Sequence, residues 1–247
     1  AGMMIKDRTR TYTIAMERTV VPENFSFRMT DEEYRVLEKI KNSIPVCYLA
    51  DHADFALGIV TGNNKKFLSA EKTENSEMVL KGTDICKYHI NPAKQYLRFE
   101  PEQFQQVAPL EIYRAPEKLL YRFISNQLVV AYDDRQMLSL NSCNIVIPKI
   151  EGMQIKYILA ILNSSVSQFV YQKEFHSIKV LRAHMEHIPI PRVGKAIQNE
   201  IIAMTEPLIC GMGKEAAETC QKRLDCRIMD LFRFSAEEQW IIRHALH

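Results

Sequence analysis

At 247 residues, with 47% hydrophobic and 25% charged side chains, the chain has the composition of an ordinary folded protein, which excludes a disordered tail, a collagen-like repeat or a disulfide-dense miniature scaffold. No apolar run approaches the roughly 20 residues of a membrane-spanning helix, and no basic-then-apolar leader opens the sequence. The six cysteines (Cys47, Cys86, Cys143, Cys210, Cys220, Cys226) are scattered, so reduced thiols and a cytoplasmic location are expected.

The net charge of +2 hides an uneven distribution. Residues 62–98 carry seven Lys or Arg against four Asp or Glu, residues 112–195 carry eleven against six, and the remainder sums to −6. A polyanion would meet favourable fields at those two internal segments.

The opening Ala1-Gly2-Met3-Met4 has the look of an expression remnant and is set aside. Thr30-Asp31-Glu32-Glu33 is a capping box, in which the Thr30 hydroxyl takes the Glu33 N–H and the Glu33 carboxylate takes the Thr30 N–H. A helix starts there, continues through Val36, Leu37 and Ile40, and ends before Pro45. Short strand-like runs follow at 57–61, 67–68, 78–81, 119–124, 127–132 and 144–147, separated by Gly, Asn and Asp turns. Gly62-Asn63 reads as the tip of a tight hairpin, because both residues tolerate positive φ. Between 154 and 175 the residues Ile155, Ile158, Leu159, Leu162, Val166, Phe169 and Val170 recur at helical spacing, with a break or kink at Asn163-Ser164-Ser165. From Gly194 onward the chain reads as helices, the last opening at Ser235 with Glu238 as its capping-box partner. The expected fold is α+β: a mixed, twisted β-sheet core over 53–193, an N-terminal connecting segment with one helix over 1–52, and a helical C-terminal appendage over 194–247.

Several of these segments, in order and spacing, resemble a known family. They are Phe55-Ala56-Leu57-Gly58-Ile59-Val60-Thr61-Gly62-Asn63-Asn64-Lys65-Lys66, then Leu80-Lys81-Gly82-Thr83-Asp84, Lys118-Leu119-Leu120-Tyr121-Arg122, Ala131-Tyr132-Asp133-Asp134 and Ser139-Leu140-Asn141-Ser142. Tyr157-Ile158-Leu159-Ala160-Ile161-Leu162-Asn163-Ser164 and His187-Ile188-Pro189-Ile190-Pro191 complete the set. Together they resemble the C-terminal specificity domain of TaqI-like DNA methyltransferases. The resemblance implies a target recognition domain of a type IIG-like restriction-modification protein, which binds double-stranded DNA beside methyltransferase and nuclease domains and performs no chemistry itself. S-adenosylmethionine, and Mg²⁺ for a nuclease, would then belong to those other domains. One recognition half of a type I specificity subunit is the near alternative, and a protein-interaction module is the rival from another class.

The residues themselves agree on the absence of chemistry. An amino-methyltransferase loop needs Asn/Asp-Pro-Pro-Tyr/Phe, whereas Asn91-Pro92 is followed by Ala93-Lys94. No lysine has an acidic residue two positions before it, as one common Mg²⁺-nuclease motif requires. Gly211-Met212-Gly213-Lys214 follows a helical run and lacks the strand that a phosphate cradle needs. His184 and His187 lack an apparent third metal ligand and read as a helix turn, and Trp240 reads as a packing anchor.

Candidate DNA contacts are polar side chains between the apolar runs. Thr61, Asn63, Asn64, Lys65 and Lys66 come from the Gly-Asn turn; Lys81 and Lys87 come from the basic segment after it. Arg122, Ser125, Tyr132, Arg135, Ser139 and Asn141 lie in the connections of the core, and His176, Lys179 and Arg182 form the basic run after the long helix. Hydroxyls, carboxamides, guanidinium and ammonium groups are the donors that suit phosphates and base edges. Asn141 and Ser142 could equally cap a turn.

Overall fold

A computed structural model describes residues 2–6, 11–15, 29–175 and 177–245. The chain opens with strands β1 (Gly2–Lys6) and β2 (Thr11–Ala15), which pair antiparallel, so Met3 and Met4 are strand residues. Helix α1 (Asp31–Asn42) follows, then β3 (Val46–Cys47), β4 (Ala53–Ala56), the one-turn α2 (Asn64–Phe67), β5 (Leu68–Ser69), β6 (Ser76–Leu80) and β7 (Tyr96–Arg98). After a short α3 (Leu110–Tyr113) come β8 (Lys118–Arg122), β9 (Val130–Asp133), β10 (Leu138–Ser139) and β11 (Cys143–Pro148). Helices α4 (Ile155–Asn163), α5 (Ser165–Glu174) and α6 (Arg182–Glu186), strand β12 (Ile190–Pro191), and helices α7 (Lys195–Cys210), α8 (Lys214–Leu231) and α9 (Ala236–His244) complete it.

The centre is an antiparallel sheet in the order β4-β11-β8-β9. Strands β8 and β9 and the first four residues of β11 are buried on both faces but for Arg122, as their near-continuous apolar runs require, while the edge strand β4 is half-buried. Leu119, Tyr121, Val130, Tyr132 and Val146 point to one face, into a large core shared with the helices, while Leu120, Ala131, Cys143 and Ile145 point to the other. That second face packs on a smaller sheet, β10-β6-β7-β5, in which β10 and β6 are parallel and the other pairs antiparallel. The fold is thus the expected mixed α+β. The C-terminal helices are less an appendage than a wall, since Ile201, Leu208, Leu224, Ile228 and Ile242 join the same core as α1 and α4.

The helical signals resolve as read. Thr30 and Ser235 both make capping boxes, with Glu33 and Glu238. Ser164 divides the long helix: it ends α4 and, through its side chain, accepts the Ser167 N–H that opens α5. Asn163, at that break, has a structural task. Its carboxamide accepts the Val130 N–H at 3.1 Å and donates to the Val130 carbonyl at 2.8 Å, and Gln168 does the same for Leu128 at 2.9 and 3.0 Å. Two side chains thereby bond backbone groups at and just before the outer edge of β9, beside Tyr88, whose N–H also donates to the Val130 carbonyl at 2.7 Å and whose carbonyl accepts the Tyr132 N–H.

Two expectations change. The 57–61 run is not a strand; its extended backbone makes only isolated bridges at Ile59 and Val60, and the edge strand of the central sheet is β4, just before it. Trp240 is 58% exposed and stacks on His244. The buried position of α9 is Ile242, two residues on and so about 200° around the helix from Trp240.

Candidate nucleic-acid interface

One end of the central sheet gathers the C-terminus of β8, the start of β9, the turn before β11 and the end of β6. Arg122, the last residue of β8, ties them together: its Nε donates to the Gly82 carbonyl at 2.9 Å and its Nη2 to the Ile85 carbonyl. Ser142 Oγ accepts the Gly82 N–H at 3.0 Å, the Ser142 carbonyl accepts from Phe123 N, and the Leu80 carbonyl accepts from Leu140 N at 2.8 Å. The segment after α5 then lies alongside the β8–β9 loop. Ser125 N–H donates to the Ile178 carbonyl at 2.9 Å and Val180 N–H to the Phe123 carbonyl at 2.7 Å, with Ile124 opposite Lys179.

The electrostatics of this end follow from composition. Segments 122–130, 139–145 and 177–183 contain no Asp or Glu, and Asp84 beside them is buried, accepting the Lys81 N–H at 2.8 Å. Lys81 is half-buried and Asn141 and Lys179 are exposed here, the Lys179 ammonium lying 5.9 Å from the Phe123 ring centroid. Arg182 extends the cationic side, over the Phe55 ring at 5.2 Å and paired with Glu186 at 2.7 Å. Between Phe55, Phe123 and Arg182 opens a groove of about 720 Å³ along the free edge of β4.

The sequence-derived candidates divide. Lys81, Arg122, Ser125, Asn141 and Lys179 converge on this end, although Arg122 turns its Nε and Nη2 onto the protein and Ser125 Oγ accepts the Gln127 N–H. Arg135 is exposed but sits after the far end of β9, beside the Lys118–Asp133 pair. From Lys118 to Arg122 along β8 is four residues, about 13 Å. Tyr132 and Ser139 are buried, Tyr132 hydrogen-bonded to Glu117, so neither offers a surface. Lys87 reaches inward to the Asn163 carbonyl at 3.4 Å, and burial lowers its pKa against the opposing pull of Asp225. His176 lies outside the described residues.

The Gly-Asn segment also differs from its expected hairpin. Thr61 is buried; its hydroxyl donates to Asn64 Oδ1 at 2.7 Å and accepts the Asn63 N–H, while Asn63 caps Lys66 N at 3.2 Å. These side-chain bonds wind 64–67 into the single turn of α2 behind Gly62, whose φ is +74°. Lys66 donates to Gln103 at 2.9 Å, and Lys65 is exposed without a partner among the described residues.

Sequence reading missed Asn126 and Gln127, both exposed in the β8–β9 loop. The available signal was Ser125-Asn126-Gln127, a polar run between two apolar strands. His184 is structural as expected: its ring stacks on Phe175 with centroids 4.5 Å apart, and its Nδ1 accepts the Leu181 N–H at 3.2 Å. No group of three His, Cys, Asp or Glu among the described residues could hold a metal ion, and no helix there is long and apolar enough to cross a membrane.

Residues 77–190 match the sequence model of the TaqI-like C-terminal specificity domain. No curated protein matches the chain in sequence. Among solved structures, it is similar to the type IIL restriction-modification enzyme MmeI in complex with DNA, at 10% identity and a TM-score of 0.54, covering 81% of this chain and 36% of that one. Looser likenesses are to the type IIG restriction endonuclease BpuSI (12% identity, TM-score 0.49, 88% of this chain and 32% of that one) and the HsdS subunit from Thermoanaerobacter tengcongensis (14%, 0.43, 87% and 50%). The chain therefore spans about half or less of each of these proteins.

Proposed function

From the premise that residues 77–190 form a TaqI-like C-terminal specificity domain, we propose that the chain recognises a specific sequence in duplex DNA for a restriction-modification system of type IIG-like organisation. The methylated base would be adenine. The catalytic work belongs, on this reading, to accompanying methyltransferase and nuclease domains, which would bind S-adenosylmethionine and Mg²⁺; this chain contributes the reader.

The observation that carries the proposal is the carboxylate-poor end of the central sheet, which holds Lys81, Asn141 and Lys179 together with a loop of exposed amides. Such a face attracts phosphates and presents groups that can read base edges, while the Arg122 and Ser142 bonds hold its loops in register. Changing Lys81 and Lys179 together to alanine is expected to weaken binding to all duplexes alike and to reduce the slope of log affinity against log salt by about two. An unchanged slope would remove this end from the interface. A fold intact by circular dichroism is expected in either case, because neither ammonium makes a hydrogen bond within the described structure.

A further inference from the structure

The β8–β9 loop carries chemistry that the cations around it do not explain. Held from the side by the 177–180 segment, it turns at Ser125–Gln127, where the Gln127 N–H donates to Ser125 Oγ at 3.2 Å. That bond closes the tip without using a side-chain amide. Asn126 and Gln127 are exposed, and neither carboxamide has a partner among the described residues. Beside them stand two apolar side chains in solvent, Ile124 at 60% and Ile178 at 70% exposure. Because Ile124 faces Lys179 across the ribbon and side chains alternate, the two isoleucines project from opposite faces. Singly exposed isoleucines are ordinary on a protein surface; these two border a surface that attracts a polyanion, where either can meet an apolar group on a base edge.

Resting on the DNA-recognition reading above, we infer that this loop reads an A·T base pair from the major groove. The groove admits a two-stranded ribbon. A carboxamide of Asn126 or Gln127 meets the donor–acceptor pair of adenine N6 and N7, and an isoleucine flank meets the thymine C5-methyl, a combination that no G·C pair presents. Lys179, on the same ribbon, supplies a phosphate contact without sequence information.

The test selects preferred sites from a randomised duplex pool, at one fixed salt concentration, with the full chain and with its Asn126→Ala/Gln127→Ala variant. The parent motif should contain an A·T position at which the variant loses roughly 5- to 150-fold of its preference, with affinity for random duplex and salt slope unchanged. At that position 7-deazaadenine should weaken the parent and leave the variant unaffected, while uracil in place of thymine should weaken both. The same motif from both proteins, or a parent motif without an A·T position, overturns this inference alone. Absence of duplex binding by the parent chain at low salt overturns it together with the functional reading.

Discussion

Replacing Gly58 with alanine is expected to lower the unfolding free energy by about 3 kcal/mol or more, through a clash of backbone with backbone that also pulls the Gly58 N–H away from Asn144 Oδ1, 3.4 Å from it. A Cβ at this position would lie 2.1 Å from the Leu140 carbonyl oxygen and 2.7 Å from the Cys143 carbonyl oxygen, both of them backbone. Neither can swing aside as a side chain would. The chain just after β4 must therefore move away from the turn before β11, and two bonds that join them, Ile59 N–H to the Ser139 carbonyl at 2.7 Å and Asn141 N–H to the Ile59 carbonyl at 3.1 Å, would lengthen. For a protein of this size the change amounts to a fall of about 6–12 °C in Tm. Because Asn141 sits in that turn, DNA affinity should fall as well in material that remains folded. Thermal unfolding followed by circular dichroism checks the first effect; a Tm within 2 °C or so of the parent would mean that the two backbones are not in contact.

The second large effect concerns the opposite end of the sheet. Lys118 and Asp133 face each other in register across β8 and β9, both without exposed surface, with Nζ and Oδ2 2.6 Å apart. Burial works against the lysine charge, lowering its pKa, while Asp133 works to keep it. The two partners are not equally dependent on the pair. Asp133 also accepts the Arg135 N–H and the Met137 N–H, each at 2.9 Å, and so holds the turn into β10; Lys118 has one other acceptor, the Tyr113 carbonyl at 2.6 Å. Asp133→Ala strands a buried ammonium and two backbone donors together, and should cost about 3–5 kcal/mol. Lys118→Met leaves a carboxylate that still has two donors, and should cost less. The ordering is the test, measured by denaturant unfolding: equal losses, or a greater loss in the lysine variant, would mean that the turn does not rely on Asp133.

Much of the fold was legible because its signals are local. A capping box states where a helix begins irrespective of what it packs on, which is why α1 and α9 start at the residues expected, and the Asn163-Ser164-Ser165 break was visible as polar atoms interrupting an apolar stripe. Trp240 was misread because an aromatic residue suggests burial, whereas its position on α9 is fixed by Ile242 and the opposite helical face.

The candidate site was legible only in part, and for a geometric reason. Successive connections in an antiparallel meander fall at alternate ends of the sheet, so Arg122 and Arg135, neighbours in a list of polar turns, stand at opposite ends of β8 and β9. Residue type also leaves direction open. Arg122 was a candidate DNA contact, yet it folds back onto the Gly82 and Ile85 carbonyls; Thr61 and Asn63 resemble exposed donors, yet they cap α2. Asn126 and Gln127 escaped notice because the second strand was expected to start at 127, where the structure instead has a loop that reaches the edge of β9 three residues later.

The most direct measurement is the affinity of the full chain for pooled duplex DNA across a salt series. Contacts by Lys81, Lys179 and Arg182 alone predict a log–log slope of about −3, or a loss of roughly 40-fold between 50 and 200 mM salt, and further phosphate contacts would steepen it. Undetectable duplex binding at 50 mM salt, or affinity indifferent to salt, would contradict the account.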